Sequence, residues 1–172
     1  FAFVNQAEQI FTEVYGLGPA FTLYFSLVAV FMAGSSFTNS RLAERLGIKR
    51  LSQTALAAFI ALSALHLGLA MAFGGQTPFP LFIALFILTM CTFGFVPPNL
   101  NALAMEPMGH VAGVASAVLG ATQMLIGGTL GGLIAYFFDG TLVPLLAGFL
   151  GLSVVSLALV LWAERGTVMG RD

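Results

Sequence analysis

Apolar residues run along this chain in blocks of about the length needed to cross a lipid bilayer, where a helix requires roughly 20 of them. The blocks are separated by short polar or Gly/Pro-rich stretches. The pattern predicts spans at 20–38, 51–73, 79–101, 111–137 and 141–163, with residues 1–15 forming the end of one further, partial span. The breaks are Gly16-Leu17-Gly18-Pro19, the polar run 39–50, Gly74-Gly75-Gln76-Thr77-Pro78, Glu106-Pro107-Met108-Gly109-His110 and Asp139-Gly140. Connections this short make consecutive helices antiparallel neighbours. The chain opens at Phe1, inside an apolar-aromatic stretch without a Met, a charged n-region or a cleavage site. That start is read as a truncation without a signal peptide, with more protein upstream.

Composition points the same way. The chain is 59% hydrophobic and 8% charged, with a mean hydropathy of +1.00. Soluble domains carry about 25% charged residues, so the bilayer is the expected solvent for much of this surface and the fold class is all-α membrane protein. A net charge of −1 gives no electrostatic footprint for nucleic acid. The single Cys91 allows no internal disulfide.

The charges sort by side. Arg41, Arg45, Lys49 and Arg50 lie in 39–50, and Arg165 and Arg171 in the tail. Four spans separate the two places, so both fall on one side, together with the connection at 102–110. The opposite connections, 16–19, 74–78 and 138–140, contain no Lys or Arg. The positive-inside rule therefore puts the 39–50 hairpin and the C-terminus in the cytoplasm, with Asp139 and Glu13 outside.

Several polar or small residues inside the spans are candidates for function. Gly113, Ala117, Ala121, Gly128 and Gly132 form a stripe at spacings of four or multiples near it, with Gly127 and Gly131 alongside. Such a stripe allows close helix packing, or a helix that bends during a conformational cycle. Gln123, in the same span, either lines an aqueous cavity or bonds another helix. Asn5, Glu8, Gln9 and Thr12 share one face of the first helix, with Gln6 beside them. That face lines an aqueous path or is a solvated helix end. Thr92 and Phe93 precede Pro97-Pro98-Asn99, which suits either a kinked gate or the plain end of a span, with Asn99 and Asn101 available to carbonyls that proline leaves unbonded. His66 is read as a hydrogen-bonded structural histidine or a proton relay. No metal spacing, nucleotide loop, catalytic triad or cofactor motif is present, so no metal or cofactor is expected and an enzyme reading has no support.

The run Ser40-Arg41-Leu42-Ala43-Glu44-Arg45-Leu46-Gly47-Ile48-Lys49-Arg50 resembles the loop signature G-x-L-x-D-R-x-G-R-R of the major facilitator superfamily. Leu42, Arg45, Gly47 and the basic pair match, with the pair shifted by one, while Ser40 and Glu44 replace the Gly and the Asp. This weaker form is similar to the repeat between helices 8 and 9. Glu13-Val14-Tyr15-Gly16 and the stretch from Pro107 through Gly109, Ala112, Gly113, Ala115, Ser116 and Ala117 resemble motifs of the twelve-span drug/proton antiporter branch, of the bicyclomycin- and chloramphenicol-resistance type. The resemblance covers the whole chain as a C-terminal half, with the end of helix 7 followed by helices 8–12.

What that resemblance implies is a proton-coupled multidrug efflux protein of the bacterial inner membrane, working by alternating access, not an enzyme. Its partners would be the lipid bilayer, a missing N-terminal six-helix half, protons and a small amphipathic substrate. Helices 7, 8, 10 and 11 would face the cavity, with Asn5, Gln6, Glu8, Phe25, Thr92, Phe93, Gln123 and Met124 as lining. Arg41, Glu44, Arg45, Gly47, Lys49 and Arg50 would form a cytoplasmic loop lock, in which Arg45 and Glu44 pair or cap nearby helix ends. The alternatives are an importer of a small polar metabolite, or a truncated membrane protein that does not transport.

Overall fold

In the computed structural model, residues 1–163 are described, and no strand occurs among them. Arg165 and Arg171, used above to place the tail, lie outside the described residues. The helices are α1 (Ala2–Gln9), α2 (Phe21–Leu46), α3 (Ile48–Ala72), α4 (Phe79–Phe93), α5 (Val96–Met105), α6 (Ala112–Tyr136) and α7 (Val143–Ala163). A π-helical turn, Ile10–Val14, continues α1, and 3₁₀ turns occupy Gly18–Ala20 and Glu106–Val111. Four stretches among the described residues are long and apolar enough to cross a membrane: Gly18–Leu46, Ile48–Ala72, Phe79–Tyr136 and Val143–Ala163. The third is 58 residues long. A straight helix of that length would reach about 87 Å, against a hydrocarbon core of about 30 Å. It folds back at Glu106–Val111, since Gln123 of α6 donates to Asn101 of α5 at 2.5 Å. The chain is thus an all-α, multi-pass membrane protein.

Two expectations about element ends change. The polar run 39–50 is not a loop. Helix α2 continues through Asn39, Arg41 and Arg45 to Leu46, and Gly47 alone separates it from α3. Gly47 has φ +82°, a conformation that costs other L-residues energy, so one residue reverses the chain. Likewise, Pro97-Pro98 does not end a span. Prolines in the first turn of a helix lose nothing, and α5 starts at Val96 after a two-residue break at Gly94-Phe95. The plain-end reading is therefore replaced by a kink inside one helical run.

The connections without Lys or Arg gather at one end of the bundle. The Tyr15 hydroxyl donates to the Thr77 carbonyl at 2.9 Å, and the Gln76 amide to the Val14 carbonyl at 2.6 Å. The Leu142 N–H donates to the Gly75 carbonyl at 2.9 Å. Glu13-Val14-Tyr15-Gly16 is therefore a clip that ties the end of α1 to the α3–α4 connection. Beneath it, Phe11, Tyr24, Phe79 and Phe82 stack, with Tyr24 and Phe79 centroids 4.7 Å apart and Phe11 and Phe82 5.9 Å apart. Lipid is as apolar as these side chains, so close packing rather than escape from water holds the cluster. The opposite end carries Arg41, Arg45, Lys49 and Arg50.

Helix α3 packs against α7, α4 and α5, while α1 lies along α6. The α1–α6 crossing corrects the small-residue stripe. A Cβ on Gly131 would lie 2.8 Å from the Ala2 amide nitrogen, and one on Gly127 2.7 Å from the Phe1 ring. Gly113, Gly128 and Gly132 have nothing within 4 Å of such an atom, and Ala117 and Ala121 are exposed. The packing register is 127/131, one residue from the expected 128/132. Gly pairs at both positions satisfy the same four-residue spacing, so periodicity cannot choose between them. Gly131→Val is expected to destabilise the fold by about 2 kcal/mol through overpacking, while Gly132→Val leaves it nearly unchanged. Unfolding midpoints of the two variants in detergent micelles check this; equal effects would refute the assigned register.

Candidate functional site

Two apolar cavities lie side by side in the bundle, of about 410 Å³ and 500 Å³. Phe3, Val4, Met32 and Phe93 line both, forming a shared wall. The first also takes Phe59, Met90 and Phe149, with Ser153 and Ser156 as its polar groups. The second takes Phe25, Gly94, Pro97 and Pro98, with Ser36. Aromatic and thioether side chains offer adaptable contact surface, and among the described residues no charged side chain lines either cavity.

A polar seam closes the side where α2 meets the kink. Three contacts follow one another at about one turn. Cys91 Sγ lies 3.7 Å from the Phe31 carbonyl oxygen. At Gly94 the backbone of the break reaches α2, and an added Cβ would collide with the Ser35 hydroxyl and sit 3.1 Å from the Met32 carbonyl oxygen. Asn39 and Asn99 then exchange hydrogen bonds: Asn39 Nδ2 donates to Asn99 Oδ1 at 3.2 Å, and Asn99 Nδ2 donates to Asn39 Oδ1 at 2.7 Å. Both are buried, at 6% and 2% exposure. The near-constant offset of 60 residues makes α2 and α4–α5 parallel along the seam. Asn99 thus bonds α2, and Asn101 accepts from Gln123; neither is recorded bonding the carbonyls freed by proline.

The residues expected to line one site separate. Phe25 and Phe93 are at cavity walls, and Phe25 stacks on Phe3 with centroids 5.7 Å apart. Thr92 is half-buried and donates to its own helix, at the Thr89 carbonyl, 2.7 Å away. Gln6 is fully buried and donates to the Ile134 carbonyl at 3.1 Å, so it fastens α1 to α6 instead of lining a cavity. Met124 is 71% exposed and touches neither cavity; Met32 and Met90 take its expected part. Asn5 and Glu8 are exposed on α1, and Gln123 is exposed on α6. Since Gln6 is level with Ile134, Asn5 and Gln123 stand roughly eleven helical residues apart, about 16 Å along the axis. They do not form one polar anchor.

The lock residues also resolve. Arg41, Glu44, Arg45, Gly47 and Arg50 are exposed. Adjacent helical residues do not face each other, and Arg45 and Glu44 form no ion pair. Arg45 instead occupies the last turn of α2, where a cation complements the helix dipole. His66 corrects the expectation of a hydrogen-bonded structural histidine. Neither ring nitrogen, nor Ser63 Oγ one turn earlier, has a partner among the described residues, and the ring packs 5.6 Å from Phe82. It lines neither cavity.

The chain is similar to an uncharacterized MFS-type transporter, YdgK, of Bacillus subtilis, with 32% identity over 128 residues, 74% of this chain and 31% of that protein. It is similar as well to a bicyclomycin resistance protein homolog of Haemophilus influenzae, with 29% identity over 148 residues, 85% of this chain and 36% of that protein. These two matches support a major facilitator family for this chain, over the part of the relatives that it spans. It spans about a third of the length of these curated relatives. No family model matches the chain, and no solved structure matches it significantly. Within the superfamily, sequence reasoning missed Asn39, Phe3, Met32 and Met90. Asn39 carried a signal, being the one amide of the polar run 39–50; Met32 and Met90 carried none.

Removing one amide of the seam leaves the other buried and unpaired, at a cost of about 1–3 kcal/mol. Asn39→Ala is expected to lower stability by that amount, and the paired Asn39→Leu/Asn99→Leu change to recover most of it. A double-mutant cycle on unfolding midpoints measures the coupling, and additive single effects would exclude it.

Proposed function

We propose that residues 1–172 are the C-terminal six-helix half of a proton-coupled multidrug efflux transporter, with 1–15 completing helix 7 and spans 20–38, 51–73, 79–101, 111–137 and 141–163 as helices 8–12. The two halves rock around a site near the midplane. The observation that carries this reading is the pair of cavities walled by Phe3, Met32 and Phe93 beside the kink. An apolar, aromatic and methionine-lined site takes amphipathic molecules of varied shape. The bicyclomycin-resistance name of one relative supports the same direction. A small polar metabolite would find few anchors there, since the polar lining is limited to serine hydroxyls.

The kink converts occupancy into motion in this scheme. Phe93 ends α4, with only Gly94 and Phe95 between it and α5, so a molecule pressing on the shared wall presses on the break. The Asn39–Asn99 pair holds α5 to α2 on the other side of that break. Arg45, at the α2 C-terminus, stabilises the helix end that would move with it. The hairpin and C-terminus face the cytoplasm by the charge asymmetry, and the protons travel with the half of the protein that precedes this chain.

The test is proton-driven dye efflux by the full-length protein in proteoliposomes. Phe93→Ala and Met32→Ala are each expected to reduce kcat/KM for an amphipathic cationic dye about tenfold, the scale of one lost apolar contact. Arg45→Ala is expected to slow turnover while leaving dye affinity within about twofold. Unchanged efflux in the cavity variants, or transport that ignores the proton gradient, would overturn the proposal.

A further inference from the structure

Outside the cavities, one surface has a definite chemistry. Phe37, Arg41 and Arg45 stand at intervals of four on α2, so they form one stripe along the helix. All three are exposed, Phe37 at 66%. The Arg41 guanidinium carbon sits over the Phe37 ring, 5.2 Å from its centroid. Beyond the stripe, Leu46 is 54% exposed, and Arg50 is exposed in the first turn of α3. Among the described residues Arg41, Arg45 and Arg50 form no ion pair, although Glu44 lies between the first two.

We propose that this corner of α2 and α3 binds the phosphate headgroup of an anionic phospholipid. The stripe is graded along the membrane normal. With a rise of 1.5 Å per residue, Arg41 lies about 6 Å and Arg45 about 12 Å beyond Phe37, the distance from the acyl boundary to the outer part of the headgroups. The Phe37 ring belongs at the apolar end of that scale, and the cation–π contact holds Arg41 against it. Guanidinium groups match phosphate oxygens in two-point fashion, and clustered cations next to a membrane span attract anionic lipid. A soluble anion meets the same charges but gains nothing from Phe37 and Leu46, so the apolar flank selects lipid. The proposal does not rest on the transport reading, since it requires only that α2 cross a bilayer.

The experiment uses the full-length protein in nanodiscs, with Phe37→Trp as reporter and Trp162→Phe removing the single native tryptophan of this half. Quenching by brominated phosphatidylglycerol is compared with quenching by brominated phosphatidylcholine. The parent is expected to prefer the glycerol lipid at least tenfold. Arg41→Gln and Arg45→Gln are each expected to reduce that preference about fivefold, and raised salt to weaken it in the parent. Arg41→Lys, which keeps the charge and the fold, is expected to retain an intermediate preference. Equal quenching by the two lipids in the parent overturns the proposal, as does an undiminished preference in the glutamine variants. Displacement of the lipid by equimolar soluble glycerol phosphate also overturns it, assigning the site to a free anion.

Discussion

Inside a packed bundle an amide has no water to fall back on, and the reciprocal bond between the buried Asn39 and Asn99 is the answer this chain gives. Each side chain satisfies the other, so neither tolerates separation without a replacement partner. The pair sits just beyond the point where Gly94 lets the broken helix touch α2. The other parts of the site take their positions from it. Phe93 is aimed at the cavities because α4 ends where it does. Asn101 reaches Gln123 because α5 restarts on a new axis. A bond of this type is directional and short, so it has two states, made and broken, and is suited to an element that must occupy discrete positions.

The charged corner works by the opposite rule. Arg41, Arg45 and Arg50 remain exposed, with no carboxylate among the described residues taking their charge. The amide pair is worth most in a dry interior, where an unmade bond costs the full desolvation of the group. The guanidiniums are placed where water and headgroups screen them, so each contributes little to folding. They are free to report on what lies outside. One run of twelve residues therefore contains both devices, the inward Asn39 with the outward Arg41 and Arg45 on α2, and the outward Arg50 at the start of α3.

Much of this was legible in the chain. Blocks of apolar residues, their length and the placement of Lys and Arg are sufficient for an all-α membrane fold, because lipid leaves a helix few alternatives. The three connections without Lys or Arg meeting at one end follow from parity alone. The site was less legible, for specific reasons. Glycines at 127/128 and 131/132 satisfy two packing registers, and only the position of α1 selects one. Gln6 and Asn5 are neighbours in sequence but point to different surroundings, one into the α1–α6 contact and one outward. Met124 looks like Met32 and Met90 to any scale of hydropathy; what separates them is which helix faces lie toward α1. A partner for Asn39 is 60 residues away, beyond any local pattern.

The separation of polar groups limits what this bundle can anchor by itself. Asn5 and Glu8 stand toward the end that lacks cations, while Gln123 and Asn101 stand about 16 Å nearer the other, with an apolar cavity wall in between. A single polar site built from the described residues alone would need side chains far longer than these. Either level is reachable, though, from the exposed faces of α1 and α6, which the described residues leave open. The apolar contacts of Phe3, Met32 and Phe93, by contrast, are complete within the described bundle. What these cavities can accommodate is therefore set by shape and apolar area more than by polar anchors.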